Sequence, residues 1–194
     1  MKKVRGLTLI ELLITILILS ILAGVAGPSF LESFDKRKLI SATEHLYSYL
    51  QQARSESLSR SKTIYWSAST LRSKKWAFGM SEDAFCNPLI TTNTDAKACV
   101  LPIDNGDGVY NAEDDAVLHR LSGLDFDEIS IKRSYSSSTI DAIEFDSTRG
   151  TTNLGGYRYY TLTSELGNNV QIRLSIIGTI TICSDDLSDY KDCS

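Results

Sequence analysis

The sequence predicts an α+β protein, in which a long N-terminal α-helix runs from a transmembrane segment into a stalk and packs on a mostly antiparallel β-sandwich head. Three features of the 194-residue chain lead to this prediction. The chain begins with a long apolar segment, continues with an amphipathic helical pattern, and then breaks into short strand-like segments. The length suits one domain with an appendage.

The first predicted element is an apolar helix over residues 7–26. A segment of twenty residues rich in Leu and Ile is long enough to span a bilayer, at about 1.5 Å per residue. Lys2, Lys3 and Arg5 precede the segment and are expected to stay in the cytoplasm. The rest of the chain is therefore expected in the periplasm.

A carboxylate interrupts the apolar segment at Glu11. An acidic residue at the centre of a membrane helix costs about 3 kcal/mol, and less near an end, so its presence there indicates a function. A cleaved secretory signal would have a shorter apolar region before small residues, and residues 23–27 would supply these. Neither such a signal nor a plain membrane anchor explains Glu11.

Residues 6–11 read Gly-Leu-Thr-Leu-Ile-Glu and lead into the apolar run. They resemble the type III signal of type IV prepilins and type II secretion pseudopilins, although that family usually has Phe in place of Leu7. The resemblance implies that a prepilin peptidase cleaves after Gly6 and methylates Leu7. It also implies that Glu11 meets the free amino group of a neighbouring subunit in a filament, and that the helix kinks at Pro28.

The helical pattern continues beyond Pro28. Apolar residues recur at spacings of three and four and predict one face that covers a core, comprising Leu39, Ala42, Leu46, Leu50 and Ala53, with Ser57 or Leu58 next. No glycine or second proline interrupts residues 29–61. Pro28 is therefore expected to bend the helix rather than end it.

The remaining residues predict a β-rich head. Eight segments are rich in Ile, Val, Thr and aromatic residues and are separated by Gly, Asn, Ser or Asp: 63–69, 75–80, 116–121, 128–132, 142–145, 157–162, 170–176 and 179–183. They suggest two sheets with one helix against them. Four aromatic residues are expected in the core rather than on a recognition surface: Tyr65, Trp66, Trp76 and Phe78.

The segment 51–57 at the helix end, the Asn-Gly-Asp-Gly loop and a late glycine before a final strand resemble the GspH/FimT branch of this family. That branch contains minor pilins and minor pseudopilins with a β-sandwich head. The resemblance implies a leader peptide at 1–6, a transmembrane and filament-core helix at 7–26, an amphipathic continuation at 27–61, and a periplasmic head at 62–194.

Four cysteines fall into two local pairs, Cys86 with Cys99 and Cys183 with Cys193. Their spacing does not suggest a zinc site. An even number of cysteines in an exported domain favours disulfides, and free or buried thiols are the alternative. Three connectivities are possible, and we favour the local pairs because each flanks a short loop.

Residues 103–115 suggest a weak calcium candidate. With Ile103 as position 1 of an EF-hand-type loop, Asn105, Asp107 and Asp114 occupy positions 3, 5 and 12, but position 1 lacks a ligand. The alternative is a turn in which glycines supply the positive φ angles. We expect no cofactor, with calcium as the one candidate.

Nucleic-acid binding is not favoured by the charge of the chain. Residues 7–194 hold 17 basic and 24 acidic side chains, a net charge of −7. Some members of the branch bind DNA through arginines near the last turn and strand, but residues 178–181 contain none. Lys132, Arg133, Arg158 and Arg173 remain as a scattered basic set, with Tyr157, Tyr159 and Tyr160 as aromatic neighbours.

No catalytic motif is evident, and we expect a non-enzyme. His45 and His119 lie far apart in the sequence, and the chain contains no zinc-protease, nucleophile-elbow or phosphate-loop pattern. A cysteine nucleophile is disfavoured if all four cysteines are paired.

The resemblance implies a structural subunit: a minor pilin that primes or caps assembly of a type IV pilus. The alternative is the H-type minor pseudopilin of a type II secretion system, and a DNA-binding pilin is less favoured. The implied partners are other major and minor pilins or pseudopilins, the prepilin peptidase and the inner-membrane assembly platform. The chain would first lie in the bacterial inner membrane and then in a pilus or pseudopilus.

Overall fold

The computed structural model describes residues 8–69, 74–83, 85–103, 106, 108–111, 113–126, 128–135 and 142–193. One long helix, α1, spans Leu9–Arg60, and ten strands follow it in the described residues. They are β1 Ile64–Ser69, β2 Ala77–Ser81, β3 Val100–Pro102, β4 Ala116–Leu118, β5 Arg120–Ser122, β6 Ser130–Tyr135, β7 Ile143–Phe145, β8 Arg158–Thr163, β9 Asn169–Leu174 and β10 Ile180–Cys183. The predicted α+β class is confirmed.

The strands form two four-stranded sheets and a small two-stranded one. The first sheet has the order β5-β2-β1-β7, the second β10-β9-β8-β6, and the third pairs β3 with β4. Each of these strand pairs is antiparallel. Alternate residues of β8 and β9 are buried, so the second sheet covers the core with one face and leaves the other accessible.

Local chemistry determines where α1 begins and ends. The Thr8 side chain caps the first turn by accepting a hydrogen bond from the amide of Glu11 at 3.3 Å. At the other end, Ser61 adopts a left-handed conformation with φ 55°, and Lys62 donates to the carbonyl of Ser57. In the part of the chain that the structure describes, no helix is both long enough and apolar enough to cross a membrane.

The second half of α1 supplies one side of the core. The predicted residues Leu39, Ala42, Leu46, Leu50 and Ala53 are all fully buried. Ser57 continues this face, whereas Leu58 is 42% exposed. The predicted amphipathic face is therefore confirmed, and it packs on both large sheets, with contacts to β1, β8, β9 and β10.

Aromatic side chains fill the space between the helix and the sheets. Trp66, Trp76 and Phe78 are buried, as the sequence predicts, whereas Tyr65 is only partly buried. Trp76 Nε1 donates a hydrogen bond to the carbonyl of Ile129 at 2.9 Å, and Trp66 Nε1 donates to the hydroxyl of Tyr160 at 3.3 Å. Each indole thereby satisfies its polar group inside the core.

An ion-pair network ties the end of α1 to the first sheet. The carboxylate of Glu82, which follows β2, forms ion pairs with the guanidinium of Arg60 at 2.9 Å and the ammonium group of Lys62 at 2.8 Å. Arg60 also contacts Glu56 at 2.6 Å and donates to the carbonyl of Pro102. Because the Glu82 side chain is nearly buried, these contacts position the helix end more firmly than an exposed pair would.

The predicted segment 116–121 is divided by His119 into β4 and β5. The amide of His119 donates to the carbonyl of Cys99, while its own carbonyl accepts from the amide of Met80. The chain therefore passes from the small sheet to the first large sheet at this residue. The strand β3 was not among the predicted segments.

The cysteines are paired locally. Cys86 is bonded to Cys99 and Cys183 to Cys193, with a Cα–Cα distance of 4.9 Å in each case. The first disulfide closes the loop after β2, and the second closes the C-terminal segment that follows β10. Both pairs are the local ones that the sequence favours.

Candidate assembly surface

The N-terminal third of α1 presents an exposed apolar surface. Its large side chains are between 49% and 78% exposed: Leu9, Ile10, Leu12, Leu13, Ile14, Ile16, Leu17, Ile18, Leu19, Ile21 and Leu22. A soluble monomer rarely exposes a continuous apolar patch of this size. This part of the helix therefore has the character of a surface that a membrane or a partner covers.

Glu11 lies within that apolar surface, in the first turn of α1. A carboxylate near the N-terminus of a helix interacts favourably with the helix dipole. Among the described residues, no basic side chain forms an ion pair with it. The arrangement leaves the carboxylate available for a cation that another molecule supplies.

Two of the predicted processing and assembly residues, Gly6 and Leu7, lie outside the described residues. Pro28 is part of the continuous helix α1, while its side chain lies outside the description. Their predicted roles stay predictions. Beyond them, Phe30, Leu31 and Phe34 are 61%, 69% and 59% exposed and extend the apolar surface towards the head.

A polar joint fixes α1 to the turn between β8 and β9. The Asp35 carboxylate accepts hydrogen bonds from the Ser164 hydroxyl at 2.5 Å, the Asn168 amide group at 2.9 Å and the Leu166 amide at 3.3 Å. Partial burial acts to raise the pKa of Asp35, but these hydrogen bonds outweigh it and hold the pKa below its ordinary value of 3.8. The sequence gives no indication of this joint, because its two halves are 129 or more residues apart.

The C-terminal segment makes a second contact with the helix. The Tyr190 hydroxyl donates to the Glu44 carboxylate at 2.8 Å, and Leu187 is buried beside it. The disulfide between Cys183 and Cys193 closes this segment. Together with the Asp35 joint, the contact holds the head in one orientation on the stalk.

A shallow groove of about 410 Å³ lies at the turn between β9 and β10. Arg173 lies 5.6 Å and 5.5 Å from the ring centres of Tyr157 and Tyr159. Arg158, by contrast, is fully buried against the ring of Tyr135 at 4.4 Å. Because Arg158 is buried, the four scattered basic residues do not form one surface patch.

The loop between β3 and β4 contains the calcium candidate. Asn105 and Asp107 lie outside the described residues, and Asp114 is exposed. The neighbouring Asp115, which sequence reasoning missed, is only 2% exposed. Within the described ranges, no three carboxylate, imidazole or thiolate side chains are grouped as a metal site.

The two histidines occupy different parts of the fold. His45 is exposed on α1, and the centre of its ring lies 5.2 Å from the ring centre of Phe126. His119 lies between β4 and β5, and burial lowers its pKa below the ordinary value of 6.5. The structure does not bring them together into one site.

A helix with an exposed apolar N-terminal third, an acidic residue in its first turn and a β-rich head defines a pilin-type subunit. Residues 1–27 match the prokaryotic N-terminal methylation motif. Residues 42–190, which are more than half of the chain, match the type II transport protein GspH. The chain therefore belongs to the GspH family, a family of pilin- and pseudopilin-type subunits.

Two crystal structures of the Pseudomonas aeruginosa (strain PAO1) type IV minor pilin FimU are similar to this chain. For one, the identity is 20% and the TM-score 0.47, with 76% of this chain and 90% of that chain covered. For the other, the identity is 20% and the TM-score 0.43, with 73% and 90% covered. No curated protein matches this chain significantly.

Proposed function

We propose that this protein is a minor pilin, a structural subunit that primes or caps assembly of a type IV pilus. The observation that carries the proposal is the exposed apolar surface of α1 from Leu9 to Leu22, which the head does not cover. In a filament, the equivalent helices of neighbouring subunits would cover it. The methylation motif over residues 1–27 supports the same role.

The segment 7–26 would anchor the chain in the inner membrane before assembly, with the N-terminus in the cytoplasm and the head in the periplasm. Lys2, Lys3 and Arg5 support this orientation because basic residues stay on the cytoplasmic side. The two disulfides agree with an oxidising compartment. Prepilin peptidase would cleave after Gly6 and methylate Leu7.

Glu11 would control the transfer from membrane to filament. A carboxylate in hydrocarbon is unfavourable unless it finds a cation, and no basic side chain pairs with it in the described residues. The amino group of a neighbouring subunit's Leu7 would supply that cation. The pair would also set the axial register between the two subunits.

The head would select neighbours rather than catalyse a reaction. Its partners would be other major and minor pilins and the inner-membrane assembly platform. The firm attachment through Asp35 and Tyr190 supports such a role, because a neighbour that binds the head is then placed at a fixed angle to the helix. The separation of His45 from His119 supports a structural role.

A minor pseudopilin of a type II secretion system is the second candidate, and the match of residues 42–190 to the type II transport protein GspH favours it. A deletion strain distinguishes the two, if sheared surface pili and secreted enzymes are measured in the same cultures. Loss of pili with intact secretion supports the pilus subunit. Loss of secretion with intact pili overturns it in favour of the pseudopilin.

A further inference from the structure

The exposed side of α1 changes from apolar to basic where the helix meets the head. Phe30, Leu31 and Phe34 are large apolar side chains that the head leaves exposed. One turn farther along the helix lie Arg37 and Lys38, which are exposed as well. Aromatic and aliphatic side chains are therefore followed by cations, which is the order found where a membrane helix leaves the bilayer.

These side chains share one side of the helix, and the carboxylates of the same segment lie elsewhere. At about 100° per residue, Phe30, Phe34 and Arg37 fall within about 60° of one another. Glu32 and Asp35 fall at least about 100° away from Phe34. The structure agrees, since the Asp35 carboxylate binds the turn between β8 and β9. Within residues 30–38, this side of α1 therefore carries positive charge only.

The basic end of this side forms one wall of a groove of about 580 Å³. Arg37, Lys38 and His45 line the groove from α1, and Asp125 and Phe126 line it from the head. Three nitrogen-bearing side chains thus face one carboxylate across the groove. The groove favours an anionic ligand that has an apolar part beside it.

Arg37 is the cation of the groove that is best placed to bind such a ligand. Among the described residues, no carboxylate forms an ion pair with Arg37, whereas Lys38 lies 3.7 Å from Glu128. The planar guanidinium group binds phosphate through two parallel hydrogen bonds. A phosphate group is therefore the ligand that suits Arg37.

The length of the helix brings this basic side to the surface of a bilayer. Along α1, the rise from Leu9 to Arg37 is about 42 Å, at about 1.5 Å per residue. A bilayer with its headgroups is about 40–45 Å thick. When the exposed apolar N-terminal third of α1 lies in the membrane, Phe34 and Arg37 therefore reach the level of the opposite headgroups.

We propose that, before assembly, the side of α1 formed by Phe30, Leu31, Phe34 and Arg37 lies in the periplasmic surface of the inner membrane, with Arg37 bound to the phosphate group of an anionic phospholipid. The inference rests on the proposed membrane anchor and extends its lipid contact from residue 26 to residue 37. Assembly would then transfer this side from lipid to a neighbouring subunit.

The charge of the head restricts the contact to this side of α1. Residues 62–194 hold 12 basic and 19 acidic side chains, a net charge of −7. An anionic bilayer repels a surface of that charge and attracts basic side chains that lie close to it. The cation at residue 37 therefore determines where the base of the head meets the lipid.

The test places a tryptophan at the proposed contact, in full-length protein reconstituted into bilayers of equal parts phosphatidylcholine and phosphatidylglycerol. Trp66 and Trp76 are buried and supply a constant background. Phe34→Trp is expected to be quenched by a nitroxide on the lipid headgroup. Ile177→Trp is the matched control, because Ile177 is exposed in the turn between β9 and β10 at the far end of the head. Its tryptophan should respond to aqueous acrylamide alone.

A second comparison tests the role of the cation. In the Phe34→Trp protein, headgroup quenching should be stronger with phosphatidylglycerol than in phosphatidylcholine alone. Arg37→Gln is expected to lose this difference, and Arg149→Gln, which removes an exposed arginine of the turn after β7, should keep it. A difference that persists in Arg37→Gln would contradict the phosphate contact.

A third tryptophan separates the inference from the anchor on which it rests. Leu19 lies within the exposed apolar surface, and Leu19→Trp should be quenched by a nitroxide at the end of the lipid acyl chain. If Leu19→Trp is quenched but Phe34→Trp responds to acrylamide alone, the inference is overturned and the anchor stands. If neither is quenched by lipid, the anchor itself is overturned. Protection of Phe34→Trp from both quenchers would also overturn the inference, because another copy of the chain would then cover this side.

Discussion

The hydroxyl of Ser164 donates a hydrogen bond to the carboxylate of Asp35 at 2.5 Å and thereby ties the turn between β8 and β9 to the long helix. The helix carries the exposed apolar surface from Leu9 to Leu22, and the turn belongs to the second sheet of the head. The contact between Asp35 and Ser164 therefore couples the two. We expect the strength of this hydrogen bond to determine how rigidly the head is oriented on the helix.

We predict that Asp35→Ala destabilises the protein by about 1–2 kcal/mol, because hydrogen bonds to a charged, partly exposed acceptor are lost. The free energy of unfolding in urea, measured on the full-length protein in detergent, checks this. Glu32→Ala is the matched control on the same helix. Among the described residues, the ion-pair partner of Glu32 is Lys36, in an exposed salt bridge, so its loss should change stability by less than about 0.5 kcal/mol. Equal effects of the two substitutions would contradict the joint.

Stability should fall as the pH is lowered below about 6.5, partly because of His119. Burial holds the pKa of His119 below its ordinary value of 6.5, so the neutral imidazole is favoured in the folded state. The buried neutral imidazole contributes fully to stability above the pKa of His119 in the unfolded state. This contribution is lost as the pH falls through the lower pKa of His119 in the folded state. His119→Gln should therefore lose less stability than wild type between about pH 7.5 and pH 5.

Thermal unfolding across this pH range measures the effect. The exposed His45 provides the control, and His45→Gln should follow the wild-type curve. A wild-type curve and a His119→Gln curve that run parallel over the whole range would show that burial of His119 does not contribute to the pH dependence.

Substitutions at two glycines distinguish the cost of a left-handed backbone conformation from the cost of a steric clash. Gly167 and Gly178 have φ angles of +89° and +74°, and a Cβ atom at Gly167 would meet no atom within 4 Å. At Gly178 it would lie 2.0 Å from the carbonyl oxygen of Gly150. We predict a loss of about 1–2 kcal/mol for Gly167→Ala from the left-handed conformation alone.

Gly178→Ala should lose about 1–3 kcal/mol more, because the backbone of Gly150 must move. Denaturant unfolding of the two variants gives the difference directly. If Gly178→Ala were as stable as Gly167→Ala or more stable, the carbonyl of Gly150 would not lie close against Gly178 in the turn between β9 and β10.

Intact-mass measurement tests processing. The mature protein should lack residues 1–6, carry one added methyl group at Leu7 and be four hydrogens lighter than the reduced chain, since both disulfides are formed. Reduction is the internal control and should restore the four hydrogens. Protein purified with Met1 intact from cells that make prepilin peptidase would contradict the proposed cleavage.

Local pattern was sufficient to predict the helix and the core. The buried residues Leu39, Ala42, Leu46, Leu50 and Ala53 follow a helical period, so the sequence alone indicates the face that packs. The sequence left Ser57 and Leu58 both open as the next position, and the structure buries Ser57 and leaves Leu58 42% exposed. Strand positions followed from β-branched and aromatic residues to within a few positions, except where strands are very short.

Features that depend on distant residues were not predictable. The strand β3 has only three residues and ends in Pro102, so it carries little strand signal of its own. From the sequence alone, Asp35 is expected to be a solvated charge, because its hydrogen-bond partners at residues 164–168 are far away in the chain. Asp114 and Asp115 are adjacent, and only the structure shows that Asp115 points inward while Asp114 is exposed.

A comparison of Glu11→Ala with wild type in cells tests directly whether Glu11 is needed for assembly into a filament. Membrane fractions and sheared filaments are collected from the same cultures, and the subunit is quantified in each by immunoblot. Asp83→Ala serves as the control, because Asp83 is an exposed acidic residue of the head, outside the apolar surface of α1. We predict that the Glu11→Ala subunit reaches the membrane at the wild-type level and is absent from filaments, while the control is incorporated normally. Normal incorporation of Glu11→Ala would show that Glu11 is not needed for assembly.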